Sequence, residues 1–256
     1  MDVIRELEAC FNHQTFEKCT DEKQVVAQCL QVVKAYATVE QCVAVMSDLA
    51  ADRSYICAGS FGRFFGLHDV GLEPKVIDSI WEDEIYQQIH PDDLFERHLL
   101  ELRFFEFLKN LPPHERLKYS TSCLIRASNS QHQWQHVRHR TLYLRSTPNN
   151  SLWLALCLYS PGGSHAPQHG IGAAIVNNET GDALAVEQYQ GCPQLLTQRE
   201  REVLQHVSQG LLSKEISQKM CISLNTVNRH RQNILEKLNV KNSTEAVKVA
   251  LAMGIF

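Results

Sequence analysis

Ile222-Ser223-Leu224-Asn225-Thr226-Val227-Asn228-Arg229-His230-Arg231-Gln232 decides how the last quarter of the chain folds. Ser223 is a helix N-cap residue. Behind it Val227, Ile234 and Leu238 recur at the seven- and four-residue spacing of one buried helical stripe. The helix predicted over Leu224–Leu238 therefore has an apolar back, and its front carries Asn225, Asn228, Arg229 and Gln232, with Arg231 and Lys237 at the flanks. Upstream, Ile216 and Met220 mark a short helix before the turn Cys221-Ile222-Ser223. Further back, Thr197 and Glu200 make the S/T-x-x-E capping box, Val203, Leu204 and Val207 share an apolar face, and Gly210 supplies a left-handed cap. Downstream, a fourth helix from about Thr244 to Met253 closes the core with Ala246, Val249 and Ala250.

The polar front has the chemistry of base recognition. Arginine pairs bidentately with guanine, and asparagine or glutamine with adenine. Charge points the same way. The 256 residues carry a formal net charge of −4. From Gln194 onward nine basic residues face five acidic ones, a surplus of +4 that leaves −8 on residues 1–193. An acidic body with a basic C-terminal domain fits a nucleic-acid reader attached to something else.

The front of the chain has a different texture. Residues 1–40 read as helical, with Val25, Val26, Cys29, Leu30, Val33 and Tyr36 at three- and four-residue spacing. Cys42–Met46 and Arg53–Cys57 read as short strands around a polar turn at Ser47-Asp48. A helix is expected from Pro91, with Asp92 and Asp93 at the positive end of its dipole, as far as Pro112-Pro113. Strands at about 116–127, 134–145 and 151–159 follow, separated by the turns Ser128–Gln131 and Pro148–Asn150. A further hairpin joins Ala173–Val176 to Ala183–Val186. The fold class expected is α+β: N-terminal helices, an antiparallel-sheet domain and a C-terminal four-helix domain.

Two resemblances sharpen this reading. Leu196-Thr-x-Arg-Glu-x-Glu-Val-Leu204, Glu215-Ile-Ser217, Ile222-Ser-x-x-Thr-Val-x-x-His230, Ile234-x-x-Lys-Leu238 and Glu245-Ala-Val247 resemble the LuxR-type helix-turn-helix domain. The resemblance implies a recognition helix in the major groove, with Asn228, Arg229 and Gln232 facing the bases. It also implies that Lys214, Asn225, Thr226, His230 and Arg231 contact or support the phosphate backbone. Ser243 stands where many family members are basic, so that phosphate contact is not carried over. Ile89-His90-Pro91-Asp92-Asp93, with the strand order around it, resembles a PAS domain. The domain expectation is a helical segment 1–40, a PAS-like sensor and dimerisation domain 41–187, a linker 188–194 and a LuxR-type domain 195–256.

Together these imply a DNA-binding transcription regulator with double-stranded DNA, RNA polymerase and a second copy of itself as partners. A small-molecule ligand or protein partner of the front domain is left open. The alternative is a sigma-like specificity factor, which shares the helix-turn-helix but has an all-helical partner domain. The nine cysteines are scattered, with no C-x-x-C pair, and read as reduced thiols. His132, His136 and His139 read as exposed strand residues, the first two on one face, which is poor geometry for a metal. No signal peptide, membrane-length apolar run, phosphate loop or nucleophile–base pair is in view. The expectation is a cytoplasmic non-enzyme whose cofactor, if it has one, is unknown.

Overall fold

A computed structural model describes residues 3–18, 21–67, 73–163, 167, 170–185, 196–238 and 240–252. The expected linker 188–194 lies outside these. The chain divides into two compact units, Ala9–Val186 and a second comprising Met1–Glu8 with Glu187–Phe256.

The first unit is built on one antiparallel sheet. In chain order come helix α1 (Val3–Asn12), whose end falls in this unit, α2 (Glu22–Val39), strands β1 (Val43–Asp48) and β2 (Arg53–Ala58), a 3-10 turn over Ser60–Phe65 and β3 (Lys75–Ile77). Helices α3 (Asp83–Tyr86), α4 (Pro91–Lys109) and α5 (Pro113–Arg116) follow, then β4 (Tyr119–Ser128), β5 (Trp134–Ser146), β6 (Leu152–Pro161), β7 (Ala174–Asn177) and β8 (Ala183–Ala185). The strand order is β3-β2-β1-β6-β5-β4-β7-β8. A leading hairpin and a trailing three-strand meander are thus joined where β1 pairs with β6, Val45 opposite Cys157. That is the PAS-like arrangement, with the last hairpin added beside β4.

Alternation of side chains gives the sheet two apolar faces. On one, Cys29, Val33 and Ala37 of α2 cover Ala44, Met46, Leu156 and Leu158. The other carries His139, Tyr143 and Cys157 toward α4, whose Phe104 lies against Tyr143 with ring centroids 6.1 Å apart. The Ile89–Asp93 motif fixes α4 to β4. His90 accepts the amide of Asp92 at Nδ1 (3.3 Å), and Asp93 receives both the Arg126 amide (2.6 Å) and the Arg126 guanidinium.

Two expectations about the elements are corrected. His132 stands in the turn before β5, at φ 57°, rather than on a strand. Ser47-Asp48 is not a turn but the end of β1, and both residues are buried. Their polarity is satisfied inside. Ser54 Oγ donates to Ser47 Oγ (2.9 Å), and Asp48 Oδ1 accepts from the amides of Ala50 and Ala51 and from Trp153 Nε1 (2.9 Å). The reversal falls just after, where Asp52 takes φ 47°.

The second unit contributes α6 (Gln198–Ser208), α7 (Ser213–Met220), α8 (Leu224–Leu238) and α9 (Ser243–Ala252). Its core is Leu196, Val203, Leu204, Ile216, Val227, Ile234, Leu238, Ala246 and Ala250, all buried. Met253, the expected end of α9, is outside the described residues.

Candidate nucleic-acid interface

Local chemistry starts and stops each helix of this unit. The Thr197–Glu200 capping box is formed in both directions: the Glu200 amide donates to Thr197 Oγ1 (3.3 Å) and the Thr197 amide to Glu200 Oε2 (2.7 Å). Lys237 of α8 donates to the same oxygen at 2.7 Å, tying the start of α6 to the end of α8. Burial works to raise the Glu200 carboxyl, but the bonds from Lys237 and Thr197 outweigh it and hold it below its ordinary value. Gly210 is left-handed at φ 83°, as its place after α6 requires.

Between α7 and α8 the chain turns on Cys221, at φ 55°. Ser223 then caps α8, accepting the Thr226 amide at 3.1 Å while its hydroxyl pairs with Thr226 Oγ1 at 2.8 Å. With Val227, Ile234 and Leu238 buried, the opposite face of α8 is turned outward. Asn225, Asn228, Arg229 and Gln232 are exposed there, and Gln232 donates to Glu236 (2.9 Å). Lys214, in the first turn of α7, is also exposed.

Thr226, His230 and Arg231 are half-buried. Arg231 reaches Ser213 Oγ of α7 (3.3 Å) and Ser243 Oγ of α9 (2.8 Å), so one guanidinium ties three helices together. Sequence reasoning missed that role. Ser243, set aside because it is not basic, is one of its acceptors. His230 Nδ1 is enclosed and has no hydrogen-bond partner among the described residues.

A second site, in the first unit, was not visible in the sequence. Arg97 of α4 is 1% exposed, with Nη1 on Glu101 (3.1 Å), Nε on His139 (3.4 Å) and Nη2 near Cys157 Sγ (3.7 Å), and its cation lies 4.8 Å from the Tyr86 ring centre. Glu82, also buried, accepts the hydroxyl of Tyr159. Burial pushes the Glu82 carboxyl up, against the pull of Arg97, and pushes His139 well down. Glu82, Tyr86, Arg97 and Glu101 border a cavity of about 10 Å³ together with Ser47, Ala155 and Cys157, room for about one water. His139, expected among exposed strand residues, is instead 1% exposed because its register turns it to the α4 face. Among the described residues no group of three or more His, Cys, Asp or Glu is placed to hold a metal.

Residues 194–250 match the family described as bacterial regulatory proteins, luxR family. The spore germination protein GerE of Bacillus subtilis is 43% identical over 68 residues, 27% of this chain and 90% of GerE. The chain belongs to the LuxR family. Its LuxR-type region is also 45% identical over 60 residues to the response regulatory protein YgeK of Escherichia coli, 23% of this chain. The match spans only 41% of that relative's length, and the oxygen regulatory protein NreC of Staphylococcus carnosus is matched over 26% of its own. The VqmA dimer of Vibrio cholerae superposes over 88% of both chains at 15% identity and a TM-score of 0.29, too loosely to carry an argument. Among the described residues no helix is long and apolar enough to cross a membrane.

Proposed function

We propose that the protein is a sequence-specific DNA-binding transcription regulator, acting as a homodimer, whose PAS-like front domain (41–187) senses a signal or partner and controls the LuxR-type domain (195–256) across the linker 188–194. The carrying observation is α8: an exposed row of Asn228, Arg229 and Gln232, held outward by a buried back, in a unit nearly coextensive with GerE. In this reading those three residues meet base edges in the major groove. Lys214, Asn225, Thr226 and His230 meet phosphate, and so does Arg231, which keeps about three of its five N–H groups free of its two serine bonds.

The sensing half rests on the buried Arg97–Glu101–Glu82 group. A buried ion pair is costly to hold, and the cavity beside it admits about one water, so a small polar ligand would complete these hydrogen bonds only if the helices covering this face move apart. The dimer rests on the paired half-sites that single helix-turn-helix domains read. RNA polymerase is the expected onward partner.

A gel-shift titration of the full chain on its upstream DNA tests the reading. Arg229→Ala should cost about 1–3 kcal/mol at the cognate site and relax its sequence preference. Lys214→Ala should weaken all sequences alike and flatten the salt dependence. Unchanged affinity in both variants, or one chain per duplex, would overturn the assignment. An affinity indifferent to added small-molecule extract would remove a small-molecule signal and leave only a protein partner for the front domain.

A further inference from the structure

Leu224 is the first residue of α8 and is 45% exposed, a large aliphatic side chain at the head of an otherwise polar outward face. Helical side chains lean toward the helix N-terminus, so Leu224 projects ahead of the first turn and away from the core formed by Val227, Ile234 and Leu238. The Ser223 cap fixes that turn at 3.1 Å and 2.8 Å from the Thr226 amide and hydroxyl. Asn228 lies four residues on, on the same edge of the helix, and is itself exposed. Among the described residues the other exposed leucines of this unit, Leu212 and Leu251, belong to other helices, at the start of α7 and in α9.

A leucine offers no hydrogen bond. Of the groups that base pairs display in the major groove, one is apolar, the 5-methyl of thymine. We infer that Leu224 is a specificity residue that packs on a thymine methyl in each half-site, next to the base met by Asn228. The inference rests on the proposed base-reading role of α8 and adds a base identity to it.

The test uses the full chain and duplexes selected by it from a random pool. Each thymine of the selected site is replaced in turn by deoxyuridine, which removes only the methyl. At one position per half-site the wild type should bind about fourfold more weakly, the worth of one buried methyl. Leu224→Ala should bind thymine and deoxyuridine equally there, while Leu224→Met, which keeps an apolar reach, should retain part of the preference. A thymine preference that persists in Leu224→Ala, or a wild type indifferent to deoxyuridine at every position, overturns the inference while leaving α8 as the reader. A wild type that selects no sequence overturns both.

Discussion

Glu200 serves two elements at once. It closes the capping box of α6 and takes the ammonium of Lys237 from the end of α8, while only 2% exposed. Removing its charge leaves Lys237 facing a neutral amide, and Glu200→Gln should lower stability at pH 7 by about 1–2 kcal/mol. Because the folded carboxyl sits below its ordinary value, its contribution is present above the unfolded value near 4.5 and is lost as pH falls through the folded one. Urea titrations followed by far-ultraviolet ellipticity should therefore separate wild type from variant at pH 7 and narrow the gap as pH falls below 4.5; a gap that does not narrow would refute the linkage. Thr197 and Glu200 were legible as a pair because they are three residues apart. Lys237 was not, being 37 residues away on another helix, and Arg231 with Ser213 and Ser243 was hidden for the same reason.

Elements were legible where their signals are local. The apolar stripe of α8, the Ser223 cap and the proline start of α4 all act within one or two turns, and each element stands where its pattern put it. The misplaced reversal at Ser47-Asp48 shows the limit. Polar residues signal a turn only when water satisfies them, and here Ser54 and Trp153, from two neighbouring strands, do so instead. The turn into α8 is a second departure from local preference. Cys221 holds a left-handed φ of 55° that glycine adopts without strain. Cys221→Gly should therefore stabilise the α7–α8 turn, raising unfolding free energy by about 1 kcal/mol. A lower thermal midpoint in that variant would mean that the thiol, which lies 3.8 Å from the Gln218 carbonyl, contributes more than the backbone strain costs.

Across the whole molecule the sequence shows a division of labour, −8 before Gln194 and +4 after it, but not the polar interior of the first unit. Glu82, the adjacent pair Arg97 and His98 of α4, and His139 of β5 come from three separate segments, and only the packing of α4 on the sheet brings them together. All three tryptophans, Trp81, Trp134 and Trp153, lie within Ala9–Val186, so indole emission follows that unit alone. His98 stands between the rings of Trp81 and Tyr86, 6.1 and 5.2 Å away, with no hydrogen-bond partner for Nε2 among the described residues. Burial, then the charge of Arg97, pushes its pKa down to about 3. In the unfolded chain it titrates near 6.5. Its contribution is whole above that value and is lost as pH falls toward about 3, because the unfolded chain takes a proton that the folded one refuses. His139 acts in the same direction; Glu82 and Glu96, raised by burial, act in the opposite one, and the wild-type profile sums them all. His98→Gln isolates one contribution. In urea titrations followed by indole emission, wild type should lose about 2–3 kcal/mol relative to the variant between pH 6.5 and 4.5. Parallel curves over that range would mean that His98 is protonated in the folded chain, and that the interior around Arg97 is wetter than its packing implies.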